Sequence, residues 1–561
     1  MHEPTTLATG KAPASAFSSL FVLMRTDPER FLLGLFLGAA TLVFLLMALL
    51  SLQWEIFWDL MHFHRVAMLM NEHGRVLYRD FFDVNMFGTI FLHAALCRLV
   101  GYGDMAWRAV DLVWLLALAA VTWKILVRFC PWSAWVSCLA FSWLYLVQGE
   151  SQTLQRDYMA VLPLATAVLL ALSPTWQAQR PVLQLLAIGM LVGVAATFKP
   201  QMGIALPWLA LVRADSDTYF APGSSWKERS LEAFKRWGLT GAGFGLVLGL
   251  GVLALAIHGG IFAFWDTVRN YWPVYTQQMF DGAIRTATPA ERQEFFFNAL
   301  YSFKNLNGRQ LLILPALLAS VAYWDSSGAN PNLRATARLL RTCLVLYYLE
   351  VLIVGNFHPY SWIPMVYFMI ALCSLIFANL PIAVSSNMKR VLTWGTFGCL
   401  VWSLWYLPHS FVNQIHGRPP ITPWTHRTAE MVAYLKPRLE PNDKIQALDW
   451  LGGTERVQTE LQADNGTEFL TDVVFFHATS HPYVKLLQQR FLDQMAASPP
   501  RFVIPVDYTR MYTVDPTDDG SFRKQVGALL AARYKVVVQG DGYRILERKH
   551  DAEQTTAPEP K

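Results

Sequence analysis

The sequence predicts a polytopic α-helical membrane protein that carries a C-terminal soluble α/β domain. Three observations predict it. The 561 residues are 54% hydrophobic and only 16% charged, against about 25% charged in ordinary soluble domains. Apolar runs close to the ~20 residues that cross a bilayer recur as far as residue 407. From Pro419 onward those runs stop, and shorter strand and helix patterns replace them. The net charge of +5 is spread over loops between the apolar runs, which points away from nucleic acid as a partner.

Residues 1–30 form a polar tail with Lys11, Arg25 and Arg30, expected on the cytoplasmic side. No small-residue cleavage site follows the first apolar run, so 31–52 reads as a retained helix rather than a signal peptide. Further spans are expected at 108–128, 134–148, 159–173, 182–198, 202–213, 238–258, 310–324, 342–355, 362–379 and 390–407, about eleven in all. They make 31–410 the transmembrane domain. Met86–Val100 decides the parity. It is short, holds His93 and ends in Cys97-Arg98, so it reads as a helix lying along the interface. The basic loops from Lys124 to Arg390 then share the side of the N-terminal tail, as the positive-inside rule asks. Asp59, Arg79, Asp80, Glu150, Arg156, Asp157, Lys199, His358 and the C-terminal domain fall on the opposite, extracytoplasmic side. Within 238–258, Gly241, Gly245 and Gly249 recur every four residues, the pattern of a close-packing helix face.

The six cysteines lie in or beside apolar segments without a CxxC pair, so neither disulfides nor a structural zinc site is expected. No P-loop, dinucleotide fingerprint or nucleophile elbow occurs, which disfavours nucleotide-sugar donors and ATP-driven transport. The C-terminal domain, 419–550, is expected to contain helices at Thr428–Leu439, Val484–Ala497 and Ser521–Ala532. Its strands are expected at Lys444–Leu448 and Arg501–Val506, with a hairpin of Tyr534–Gln539 and Tyr543–Arg548 turning at Gly540-Asp541-Gly542. The polar stretch 551–561 is expected to be disordered.

The chemistry-bearing residues gather at span ends on the outer side, where maintaining charge at a membrane boundary is costly. Asp59 follows Trp54 and Trp58, which suit the headgroup level. A carboxylate there can serve as a general base; the plainer reading is a helix N-terminal charge on Leu60–Asn71. Tyr78-Arg79-Asp80-Phe81-Phe82-Asp83, Glu150, Arg156-Asp157, Phe198-Lys199-Pro200-Gln201 and His358-Pro359-Tyr360 follow on the same side. Lysine, arginine and tyrosine supply the point charge, bidentate fork and hydroxyl donor that a lipid phosphate needs. Singly they snorkel or cap; together they read as a lipid-phosphate site beside a base. Trp265, Tyr271, Trp272 and Tyr275 read as an interfacial aromatic belt in preference to an acceptor-binding lid. Asn465-Gly466-Thr467 spells a glycosylation sequon.

In order and sidedness these motifs, with Pro364, resemble those of the GT-C glycosyltransferases that use polyprenyl-phosphate sugars. Lipid A aminoarabinose transferases and protein O-mannosyltransferases belong to that superfamily. The resemblance spans nearly the whole chain. It implies transfer of a sugar, with inversion, from a polyprenyl-phosphate donor to a glycan, lipid or protein acceptor outside a bacterial inner membrane. It implies Asp59 and Asp157 as catalytic carboxylates, and Lys199, Arg79, Arg156, His358 and Tyr360 around the donor phosphate. Tyr78, Asp80 and Glu150 are then substrate-binding. No cofactor is required and no metal ligand is expected, a divalent ion shared by Asp59 and Asp157 being the less favoured alternative. Two positions depart from the pattern. Leu60 stands where many relatives have a second acid, and Asn85-Met86 where many have Lys-Pro. The rival readings are a transporter or flippase, which would place ionisable groups near the bilayer midplane, and an inert anchor for the C-terminal domain.

Overall fold

The computed structural model describes residues 27–56, 59–213, 223–278, 290, 309–323, 330–354, 358–378, 385–404, 411, 425–450, 452–476, 478–507 and 518–549. Most of the N-terminal tail, Trp58 and the polar stretch 551–561 lie outside the described residues.

The described residues of the N-terminal part form the helices α1 (Pro28–Ser51), α2 (Asp59–Glu72), α3 (Phe87–Val100), α4 (Asp104–Leu126), α5 (Pro131–Val147), α6 (Arg156–Ala171), α7 (Pro174–Gln179), α8 (Pro181–Phe198), α9 (Leu206–Leu211), α10 (Trp226–Ile257), α11 (Ile261–Asp266), α12 (Trp272–Gln278), α13 (Ile313–Ala322), α14 (Pro331–Val354), α15 (Ile363–Ser374) and α16 (Ser386–Leu404). Among the described residues five helical stretches are long and apolar enough to cross a membrane: Pro28–Ser51, Asp104–Leu126, Pro181–Phe198, Trp226–Ile257 and Pro359–Phe377. α1 and α10 present leucines outward, with Leu42 69% and Leu250 56% exposed, as lipid-facing helices do. The 14 residues of α3 advance about 21 Å, short of a ~30 Å hydrocarbon core.

Two expectations are corrected. Residues 202–213 were expected as one continuous span. Pro200–Ala205 instead forms a 3₁₀ turn and Leu206–Leu211 a single short helix. Pro200 and Pro207 each lack a backbone donor, and Gly203 lies between them, so a regular helix is interrupted. Arg236 closes the end of this segment by donating to the carbonyls of Ala210 (2.6 Å) and Val212 (2.8 Å). The glycine stripe also differs. A Cβ on Gly241, Gly245 or Gly249 would meet nothing within 4 Å, whereas one on Gly243 would lie 2.1 Å from the Leu186 carbonyl oxygen. One on Gly189 would lie 2.0 Å from that of Thr240. The α8–α10 contact therefore runs along a different face of α10, the face that also carries Thr240 and Phe244.

The C-terminal part comprises α17 (Thr425–Leu435), β1 (Lys444–Leu448), α18 (Thr454–Glu460), β2 (Asp464–Asn465), α19 (Pro482–Ala497), β3 (Phe502–Pro505), α20 (Ser521–Arg533), β4 (Tyr534–Gly540) and β5 (Tyr543–Arg548). The strands form one sheet ordered β2-β1-β3-β5-β4. β1 is parallel to β2 and β3, and β5 is antiparallel to β3 and β4. The buried β1 and β3, read from their short apolar runs, are its centre. The short α18 and two-residue β2 carry too little periodicity to be read from sequence. The sequon asparagine lies in β2 and is buried: its amide donates to the Thr467 and Phe469 carbonyls and accepts from Gln458.

This domain sits on the end of the bundle that carries α2 and the loop after it. Phe82 N donates to Glu468 O at 2.8 Å, and Arg65 to Ala463 O at 2.6 Å. Arg456 pairs with Asp104 at 2.7 Å, and Arg75 pairs with Asp464. The domain and the loop after α2 thus share one end of the molecule.

Candidate active site at the bundle end

Three helix termini bring the principal charges together. Asp59 is the first residue of α2. Arg156 and Asp157 open α6, where an acid suits the positive end of the helix dipole. Lys199 ends α8 in an extended conformation, φ −152° and ψ 113°, because the following Pro200 disfavours helical geometry at the residue before it. The close seating of α3 on that terminus depends on Gly88, whose absent Cβ would lie 2.1 Å from Thr197 Oγ1.

Lys199 Nζ donates to Asp157 Oδ1 at 2.7 Å and stands 3.3 Å from Glu350 Oε1. All three side chains are buried. Glu350 comes from α14 and was missed in the sequence reading, although a lone acid inside the apolar run 342–355 was the available signal. Arg156 Nη1 donates to Asn85 Oδ1 at 2.7 Å, and its guanidinium lies 5.9 Å from the Phe63 ring. Asn85 is the position where the polyprenyl-phosphate pattern departs, and here its amide holds an arginine.

Asp59, Tyr275, Tyr360 and Asp157 all act electrostatically on Arg156. Asp59 and Lys199 both act on Tyr275 and on His358. Asp59 and Lys199 thus act on the same two side chains, which places both charges at one end of the bundle. His358 stacks on Tyr360 with ring centroids 5.2 Å apart. Burial draws its imidazole below the ordinary value, outweighing the carboxylates of Asp59 and Asp157. Asp157 Oδ2 and Arg156 Nε are buried without a hydrogen-bond partner among the described residues, and such capacity calls for an explanation.

The remaining candidates divide. Tyr78 is buried with a left-handed φ of 67°, a conformation costing about 1–3 kcal/mol, and its hydroxyl donates to Asn85 O at 2.5 Å. It braces the residue that holds Arg156. Arg79 and Asp80 pair with each other at 2.7 Å. That bond, the largest influence, holds the Asp80 carboxyl below its usual range. Arg79 also reaches the His258 carbonyl at 3.4 Å and is half exposed; neither residue makes a hydrogen bond to the Lys199 cluster. Glu150 begins a 3₁₀ turn, Glu150–Gln152. The loop from there to Arg156 is anchored below by the buried Arg108–Asp111 pair (2.8 Å), through Thr153 Oγ1 on Arg108 (2.7 Å) and Leu154 N on Asp111 (3.1 Å).

The aromatic loop is not an interfacial belt. Tyr271 is buried against Phe82, Trp272 Nε1 donates to Val84 O at 3.1 Å, and Tyr275 faces Asp59 and Arg156. Trp265 alone of the four is largely exposed. Among the described residues no group of three or more His, Cys, Asp or Glu is arranged to hold a metal ion.

No protein-family model matches the chain, and no curated protein does. Solved structures give distant likenesses. ArnT from Cupriavidus metallidurans bound to undecaprenyl phosphate is 13% identical, over 91% of this chain and 97% of that one, with a TM-score of 0.39. The archaeal oligosaccharyltransferase AglB from Archaeoglobus fulgidus, in complex with an inhibitory peptide and a dolichol-phosphate, is 12% identical over 83% and 69%, again at 0.39. These scores are too low to bear on function.

Proposed function

We propose that the chain is an integral-membrane glycosyltransferase that moves a sugar from a polyprenyl-phosphate donor to an acceptor on the extracytoplasmic side. One observation supports the reading: Lys199 meets Asp157 at 2.7 Å beside Arg156, on which Asp59 and Asp157 both act electrostatically. Such a mixture of acids and cations, with Asp157 and Lys199 buried and Asp59 and Arg156 half-buried, serves group transfer, in which one group takes a proton while another accepts developing charge.

Arg156 is the proposed first ligand of the donor phosphate, since among the described residues only its Nη1 is hydrogen-bonded and its planar fork suits a phosphate. Lys199 has three N–H donors. Two face Asp157 and Glu350, leaving the third for a phosphate oxygen. Asp59 takes the acceptor's proton as the acceptor oxygen bonds to the anomeric carbon. The bond from that carbon to the phosphate oxygen breaks, its electron pair leaving with the polyprenyl phosphate, where Arg156 and Lys199 stabilise the charge. A single displacement inverts the anomeric carbon. Tyr360, His358 and Tyr275 wall the site and limit water.

The test is mass spectrometry of envelope lipids and glycans from host cells lacking the chain, complemented with wild type or Asp59→Asn. A sugar modification should appear with wild type and be lost with Asp59→Asn. Identical profiles in the two strains would remove the proposal.

A further inference from the structure

A continuous hydrogen-bonded chain runs from the C-terminal domain to Arg156. Glu455 Oε1, on α18, lies 2.7 Å from His62 Nδ1, and His62 Nε2 lies 2.9 Å from Asp83 Oδ2. The other oxygen of Asp83 accepts from Asn85 N at 2.6 Å and from Asn85 Nδ2 at 2.8 Å. Asn85 Oδ1 then accepts from Arg156 Nη1 at 2.7 Å. Glu455 and Asp83 are buried, with side chains 3% and 0% exposed.

Each link constrains the next. An imidazole between two carboxylates donates to both only as the imidazolium. Asp83, fixed by that cation through one oxygen, presents the other to both N–H groups of Asn85. With its amide nitrogen turned to Asp83, Asn85 has only its amide oxygen to offer in the other direction, and there it meets Arg156. The residue after His62, Phe63, lies beside the same guanidinium. Burial opposes a charged His62, yet the Glu455 and Asp83 carboxylates raise it well above its ordinary value.

We propose that His62 is a positioning residue which, through Asp83 and Asn85, sets the Arg156 guanidinium for the donor phosphate, with Glu455 of the C-terminal domain as the fixed end. The proposal rests on the reading of Arg156 as a phosphate ligand. It gives the C-terminal domain a part in the site without any residue of its own touching substrate.

The experiment measures binding of undecaprenyl phosphate to the full-length protein in lipid nanodiscs, with thermal stability recorded for every variant. Arg156→Ala should weaken binding about tenfold or more, as loss of a charged hydrogen-bond donor does. His62→Gln should weaken it about fivefold to tenfold. In an Arg156→Ala background His62→Gln should cost nothing further, because residues acting through one group are not additive. A purely structural role would give the same loss in both backgrounds. Asn85→Ser, which cuts the last link and leaves the His62 clamp intact, should reproduce the pattern if His62→Gln folds poorly. If Arg156→Ala binds like wild type, the phosphate role falls and the proposal with it. If Arg156→Ala loses binding while His62→Gln and Asn85→Ser do not, or their losses add in full, the proposal alone falls.

Discussion

Lys199, at the end of α8, and Asp157, in the first turn of α6, form a buried ion pair at 2.7 Å whose cation also faces Glu350 at 3.3 Å. One ammonium thus serves two carboxylates from different helices, tying α6, α8 and α14 at the site. Lys199→Met leaves both acids without their counter-charge and should lower stability by about 3–5 kcal/mol. Adding Asp157→Leu to it should recover part of that loss, since the orphaned charge goes too. Thermal unfolding in nanodiscs reads both; an unchanged midpoint for Lys199→Met would contradict the pairing.

Glu350→Gln keeps the shape of the side chain and removes one of the two charges on Lys199. The ammonium then leans towards Asp157, and sugar transfer should fall about tenfold while the fold is kept. Comparing product formation with the melting midpoint checks this: a drop in stability without a drop in transfer would make Glu350 a packing residue.

The His62 clamp makes a pH-dependent contribution to stability. The folded value is raised above the ordinary value of about 6.5. A raised group stabilises fully below its unfolded value, and that stabilisation is lost as pH climbs through the folded one. Wild type should therefore exceed His62→Gln in melting midpoint most between about pH 5 and 6.5. The gap should close in alkaline solution. A gap independent of pH would mean that His62 is held neutral.

The helix contact between α8 and α10 offers a controlled comparison. Gly243→Ala pushes a methyl group against the Leu186 carbonyl and should destabilise the protein, whereas Gly245→Ala meets open space. The latter should be neutral or stabilise by up to about 1 kcal/mol, from helix propensity. Melting midpoints of the two variants decide it; equal effects would place the contact on the other face.

Much was legible in the sequence because it depends on local composition. The apolar runs, β1 and β3, and the β4–β5 hairpin follow from periodicity and turn residues. Other features were not legible for an equally physical reason. Nothing in the spelling of the 238–258 helix says which of its glycines faces a neighbour, because two stripes of small residues share it. Nor does Asn85 read as a ligand to Arg156, since their relation is made 71 residues apart. The aromatics of 265–275 satisfy a belt and a pocket wall equally well by composition.

The sequence alone determined that the chain is a multi-helix apolar protein with a separate α/β tail, and that acids and bases cluster at particular helix ends. Hydropathy and backbone preference act over a few residues, so they are written there. Tertiary structure alone decided that Glu350 joins Lys199 and that Glu455 reaches His62 across 393 residues. Charge pairing in a buried site is settled by which helices pack together, and that packing is a property of the whole fold.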